Sequence, residues 1–305
     1  LHDALPILLE PLRSRNGLRG IDRIIPIALR RWRKNLLSLK TWQEFFTFRR
    51  KLQEVHYDYI IETQGLLKSA LVCGLAKKTS HAVIAGLANA TQYSGYEPIT
   101  RFFYNQRVQV PLQCHAVDRS RYVACSALDW QLINRSEKAQ FYPADYLGTI
   151  ETKQIVDLKK PYVLFFHSTA REAKRWSNPD WIELGKKLLA LGYQIVLPWG
   201  SATEKAMSYE LAAKIPEAIV PNAFSIEEAF LIIHNSSLVV GVDTGLTHLS
   251  AVLNQPTVEI YCDSPRWKTE GYWSDKIRNV GDIQAPPTID DVVGASLELL
   301  SEVGH

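Results

Sequence analysis

Cysteine is scarce. The 305 residues hold four, Cys73, Cys114, Cys125 and Cys262, scattered and without a C-x-x-C spacing. That argues against a disulfide-stapled scaffold and fits free thiols in a reducing compartment. Long apolar runs are missing too. No stretch of about 18 consecutive apolar residues occurs, so nothing reads as a membrane span. The first residues do not have the basic-then-apolar pattern of a secretory signal. No D-x-D is present, and no His, Cys or carboxylate spacing typical of a metal site. G-x-G-x-x-G, G-x-x-x-x-G-K-[ST] and G-x-S-x-G are all absent, which removes the common dinucleotide, P-loop and serine-hydrolase readings.

What remains has ordinary globular composition, 46% apolar and 22% charged, and a length that suggests two domains. The charge is unevenly spread. Between Arg13 and Lys51 stand twelve Lys or Arg residues against Asp22 and Glu44. That segment carries about +10 within a chain of net +3, so the remainder is acidic. Such polarity implies an anionic partner for the N-terminal part: nucleic acid, phospholipid head groups or a phosphorylated acceptor.

Strand and helix patterns alternate almost throughout. Arg23–Leu29 reads as a short strand running into a basic loop. Helices are expected over 41–54, 66–77 and 116–130, with strands over 57–62 and 81–85. The polar stretch 131–160 is the expected interdomain connection. Beyond it, Tyr162–Phe166 is a short apolar run, the mark of a strand buried on both faces. Strands over 194–197, 238–242 and 257–261 alternate with helices over 180–190, 203–214, 226–234, 246–253 and 289–300. Ser225 and Glu228 form a capping-box pattern at the start of the 226–234 helix. The rhythm predicts an α/β protein with parallel sheets, in two domains, 1–150 and 151–305, facing a cleft.

Three clusters follow strands. Val242-Asp243-Thr244-Gly245-Leu246-Thr247-His248 joins a strand to a helix N-terminus, where unpaired amides suit phosphate. Gly245 would let a ligand approach the backbone. Equally, Asp243 could simply cap the helix and His248 be a packed core histidine. His167-Ser168-Thr169-Ala170-Arg171-Glu172-Ala173-Lys174-Arg175-Trp176 brings hydroxyls and three cations to another strand end. Lys174 could neutralise a diphosphate there, or the segment could be a solvated basic loop. In Leu197-Pro198-Trp199-Gly200-Ser201-Ala202-Thr203-Glu204, the carboxylate of Glu204 suits ribose hydroxyls, or merely complements a helix dipole. Around Arg30-Arg31-Trp32-Arg33-Lys34, Trp32 could stack on a nucleic-acid base, but no nucleic-acid motif supports that use.

Together with Gln64-Gly65-Leu66-Leu67-Lys68-Ser69-Ala70, these motifs resemble the ADP-heptose:lipopolysaccharide heptosyltransferase family, its type I members in particular, over roughly residues 21–300. The resemblance implies a GT-B fold, a C-terminal donor domain and an N-terminal acceptor domain. It implies inverting transfer of heptose from ADP-heptose to a Kdo residue of Kdo-lipid A, with no metal or other cofactor. The enzyme would work peripherally on the anionic, cytoplasmic face of a Gram-negative inner membrane, with no nucleic-acid partner. Carried over by position, Thr169, Ala170, Lys174, Glu204, Phe224, Asp243, Thr244, Gly245 and His248 would bind the donor. Lys174 would also hold the leaving diphosphate. Arg30, Arg31, Arg33 and Lys34 would receive the acceptor's anionic groups.

Departures from the pattern carry their own expectations. Ala170 stands where the family often has a second Thr, which would remove one hydroxyl contact. The family's general base, an Asp in a G-D-V segment, precedes an L-H-x-L-P run, and nothing precedes Leu1 here. Leu1–Ile7 also read letter for letter as the translation of a common sequencing adapter. The N-terminal domain is therefore expected to be incomplete, and transfer by this chain to be weak. The competing readings are a related transferase with another acceptor or nucleotide sugar, and a non-enzymatic binder of anionic lipid or nucleic acid.

Overall fold

The computed structural model describes residues 23–131, 160–169 and 171–303, with Arg30, Glu227 and Val303 described by backbone alone. The described residues divide into two compact units, one within Ile21–Arg135 and the other within Ser136–His305. The expected domain edge at 150/151 and most of the expected connection lie in 132–159, outside the described residues.

The first unit begins with helices α1 (Leu29–Lys34) and α2 (Leu39–Leu52). A parallel sheet in the order β1 (Tyr57–Ile61), β2 (Lys78–Leu87) and β3 (Gln106–Val108) follows. Helix α3 (Leu67–Leu75) connects β1 to β2, and α4 (Ala116–Leu128) follows β3. Ala85, Leu87, Val108, Val123 and Ala127 form the core where α4 covers the sheet. At the end of β1, buried Glu62 accepts bonds from Gln64 N and Gly65 N, each 2.8 Å, and from the Tyr104 hydroxyl at 2.7 Å. Gly65 turns there at φ +70, and a Cβ on it would meet Tyr96 at 2.8 Å.

The strand expected over Arg23–Leu29 does not form: residues 23–28 are irregular, and the R-R-W-R-K segment is helical. Pro26 offers no amide to a sheet ladder, and Trp32 N already closes a helical turn on Ala28 O at 2.9 Å. Trp32 is 6% exposed, packs edge-on to Phe45 and against Phe48, and donates its indole N–H to Glu44 at 2.8 Å. It is a core residue with no ring face to offer a base.

The second unit is a five-stranded parallel sheet, ordered β5 (Gln194–Val196), β4 (Tyr162–Phe166), β6 (Leu238–Val242), β7 (Thr257–Tyr261), β8 (Ile277–Gly281). Every residue of β4, β6 and β7 is buried. Alternation along β4 explains why: Val163 and Phe165 pack with Trp181, Leu184 and Leu188 of α5 (Asn178–Ala190) and with Val292 and Leu299 of α9 (Ile289–Val303). Tyr162, Leu164 and Phe166 join Phe230 and Ile233 of α7 (Ile226–His234) and Leu249 of α8 (Gly245–Val252). Each such buried side chain is worth about 1.5–3 kcal/mol relative to exposure. Helix α6 (Ala202–Ala212) follows β5, and the Ser225/Glu228 capping box forms as expected.

Candidate active site

In an open parallel sheet the carboxyl ends of the strands are where a ligand finds both loops and helix N-termini. Three such ends in the second unit carry the candidate residues: β4 leads to His167–Trp176, β5 to Leu197–Glu204, and β6 to Asp243–His248.

The β6–α8 turn is built by packing. A Cβ on Gly241 would lie 2.2 Å from Thr247 Oγ1 and 3.0 Å from Phe166 Cβ, so only glycine lets Thr247 fold back over the strand. Buried Thr247 then donates to Val242 O at 2.8 Å, and Thr244 Oγ1 sits 3.1 Å from Thr247 Oγ1. The first helical bond is His248 N to Thr244 O at 3.1 Å, which leaves the amides of Gly245, Leu246 and Thr247 ahead of the ladder. At Gly245 a Cβ would meet nothing within 4 Å. No protein neighbour demands glycine there, and the space beside it is open.

Asp243 is not the helix cap; Thr244 holds that position. The carboxylate of Asp243, itself buried, takes Lys174 Nζ on Oδ2 at 2.5 Å and His248 Nε2 on Oδ1 at 2.9 Å. Thr269 Oγ1 adds a contact to Oδ1 at 3.4 Å. The other ring nitrogen of His248 meets Glu259 Oε1 at 3.0 Å. Glu259, fully buried in β7, also accepts from the Tyr261 hydroxyl and from Gly271 N, both 2.9 Å. Four ionisable groups therefore alternate in sign from the surface inwards: Lys174, Asp243, His248, Glu259.

These pairs set the protonation states. Burial alone would push His248 down, but hydrogen bonds to Asp243 and Glu259, and their charges, outweigh it and carry its pKa up to about 9. Burial likewise works against ionised Asp243. The hydrogen bond and charge of His248, then those of Lys174, overcome it and hold the carboxyl far below the usual range. His248 is thus an imidazolium with both N–H groups committed. It holds Asp243 in place rather than presenting a ring nitrogen outwards, and Asp243 in turn holds Lys174. Lys174 does not stand free in a solvated loop: an ion pair fixes it, with its side chain 20% exposed.

The neighbouring strand ends are ordered by similar means. His167 is buried, with Ser208 Oγ at 2.9 Å from Nε2 and Ser168 Oγ at 3.0 Å from Nδ1. Burial, then the charge of Arg175, pushes its pKa down to about 4, so the ring is neutral. Thr169 is half-buried beyond it, and Ala170 lies outside the described residues. Glu204, in the first turn of α6, accepts from Gly200 N at 2.7 Å, which shapes the Trp199–Ser201 loop. Phe224 packs against the α7–α8 side of the core. In the first unit, Arg31 pairs with Glu44 at 2.6 Å, while Arg33 and Lys34 are exposed; the Arg30 side chain is not described.

Sequence reading missed Glu259, Tyr261, Thr269 and the amide of Gly271. The only available signal was an acid inside an otherwise apolar strand, since a carboxylate there needs a buried partner. Among the described residues, no group of three or more His, Cys, Asp or Glu is arranged to hold a metal ion.

The model of glycosyltransferase family 9 (heptosyltransferase) matches residues 45–296. Lipopolysaccharide heptosyltransferase 1 of Pseudomonas aeruginosa is 34% identical over 270 residues, 88% of this chain and 72% of that protein. The Salmonella typhimurium protein of the same name is 32% identical over 258 residues, 85% of this chain and 78% of that protein. Among solved structures, E. coli heptosyltransferase WaaC with ADP matches at a TM-score of 0.75 and 26% identity, covering 99% of this chain and 96% of that one.

Proposed function

The chain belongs to glycosyltransferase family 9, the heptosyltransferases, and on that premise we propose how its residues move heptose in lipopolysaccharide core synthesis. The fold is the α/β, GT-B class of its relatives. The donor is ADP-heptose, in keeping with the ADP bound in the E. coli structure. The acceptor is a Kdo residue of Kdo-lipid A, reached at the cytoplasmic face of the inner membrane.

Transfer proceeds with inversion. An acceptor hydroxyl attacks the anomeric carbon from the face opposite the diphosphate and releases its proton to water. The carbon–oxygen bond to the diphosphate breaks, and its electron pair leaves on the phosphate oxygen. Catalysis requires positive charge where that negative charge grows. Lys174 and the amides of Gly245, Leu246 and Thr247 supply it, the amides being the positive end of the α8 dipole. The single observation that carries this reading is the Lys174–Asp243 pair at the start of α8. Asp243 holds the ammonium on station before the donor arrives, and His248, kept protonated by Glu259, keeps Asp243 ionised.

Glu204 takes the ribose hydroxyls, with Phe224 near the adenine. Thr169, Thr244 and Gly245 complete the donor contacts. Arg30, Arg31, Arg33 and Lys34 meet the acceptor's carboxylates and phosphates. Charge balance on the diphosphate comes from these protein groups, without a metal or other cofactor.

The test is a titration of ADP and ADP-heptose into the chain and its Lys174→Ala variant, followed by transfer to Kdo-lipid A. Preference for ADP-heptose over other nucleotide sugars, weakened in the variant, is the expected result. Tighter binding of a different sugar nucleotide would replace the donor assignment, and transfer to a heptosylated core but not to Kdo would replace the acceptor.

A further inference from the structure

The junction between α1 and α2 exposes an unusual amount of apolar surface. Leu36, Leu37, Leu39, Trp42 and Phe46 are between 47% and 102% exposed, with Leu37 at the upper end. Leu39, Trp42 and Phe46 recur at helical spacing along α2, while Thr41 and Phe48 are buried against the unit. The patch is shaped rather than ragged. Trp42 donates its indole N–H to Leu36 O at 2.9 Å, and its ring packs on Phe45 and Phe46.

Cations surround this surface. Arg33, Lys34 and Lys40 stand exposed at one end, and Arg49, Arg50 and Lys51 at the other. Beyond Phe46 an open groove of about 370 Å³ is lined by Arg49, Arg50, Gln53, Glu54 and Lys77. Glu54 there is already paired with Arg23 at 2.6 Å. Contiguous apolar surface of this kind marks an interaction site. A protruding leucine loop, an amphipathic tryptophan and a rim of cations are complementary to an acyl boundary beneath anionic head groups.

We propose that the Leu36–Phe46 surface inserts into a bilayer leaflet carrying anionic phospholipid, with Lys40, Arg49 and Arg50 on the head-group phosphates. The proposal deepens the reading of a lipid-borne acceptor and rests on it for the choice of a bilayer over other apolar partners. It places the docking surface directly after the Arg31–Lys34 cations, so the element that meets the acceptor's anionic groups is continuous with the one that meets the membrane.

The experiment is flotation of the full chain with phosphatidylglycerol/phosphatidylethanolamine vesicles and with phosphatidylcholine vesicles, all free of acceptor lipid. Wild type should float with the anionic vesicles, less so as salt rises. Leu37→Glu/Leu39→Glu should weaken partition by about tenfold or more, since two leucines lose their burial. Both side chains protrude, and an acid at the first position of α2 suits the helix, so folding is retained. Arg49→Gln/Arg50→Gln should cost about fivefold per cation on anionic vesicles. The melting shift induced by ADP and transfer to a deacylated, soluble acceptor report the transferase reading separately, and neither should change in these variants. The proposal is overturned if wild type stays in solution with both vesicle types. It is equally overturned if the leucine variant floats like wild type, or if the wild type is a dimer that this variant makes monomeric.

Discussion

Lys174 Nζ and Asp243 Oδ2 lie 2.5 Å apart although 69 residues separate them in sequence. The contact joins the loop after β4 to the turn after β6, two strands that are hydrogen-bonded neighbours. A cation placed this way needs little rearrangement when an anionic leaving group forms beside it.

Lys174→Ala should therefore lower kcat by about 10²–10³-fold, the usual cost of removing one preorganised charge-stabilising donor. The fold should survive, because Asp243 keeps its bond to His248. Steady-state transfer kinetics alongside a melting curve would separate the two effects. Lys174→Arg should recover part of the rate.

Gly245→Val probes the space at the α8 start. With nothing within 4 Å of its Cβ position and an ordinary φ, the variant should keep its Tm within a few degrees. ADP should no longer raise that Tm, because the branched side chain fills the approach to the amides. A variant that still shifts with ADP would remove the diphosphate from this turn.

His248 makes stability depend on pH with a defined sign. Its pKa is about 6.5 in an unfolded chain and about 9 when folded, so the folded state binds the proton more tightly. The resulting stabilisation, on the order of 3 kcal/mol, is complete below pH about 6.5 and is lost as pH rises through 9. Asp243 acts oppositely: its pKa is depressed on folding, so its contribution holds above the unfolded carboxylate range and fades as acid protonates it. Chemical denaturation at pH 6 and pH 9 should show the wild type losing more stability than His248→Gln.

Trp32→Ala should destabilise the first unit by about 3–5 kcal/mol, as expected for emptying a buried aromatic site. The loss would include the indole bond to Glu44. A nucleic-acid ligand should not protect it. Urea unfolding monitored by circular dichroism, with and without oligonucleotide, measures both.

The sheet of the second unit was legible because Tyr162–Phe166 and Leu238–Val242 are buried on both faces and so read as apolar runs, and Thr257–Tyr261 does so apart from Thr257 and Glu259. Ile277–Gly281 was missed: at the sheet edge it carries Arg278 and Asn279 and shows no such run. Gln106–Val108 is too short to show a period. At the site, Asp243, His248 and Lys174 could be nominated from local patterns. Their linkage could not, because it depends on Glu259 from a third segment and on bonds across the sheet. The burial of Trp32 was not legible either, since a tryptophan among arginines shows nothing of Phe45 and Phe48, a helix away, that cover it.

Glu259 receives the amide of Gly271 on the same oxygen that takes the Tyr261 hydroxyl. The excursion between β7 and β8 is thereby tethered to the far end of the relay that terminates at Lys174. Drift or insertion in that outer segment would surface as a mispositioned ammonium. Tolerance to change along 262–276 should accordingly be lowest around residue 271 and rise on either side.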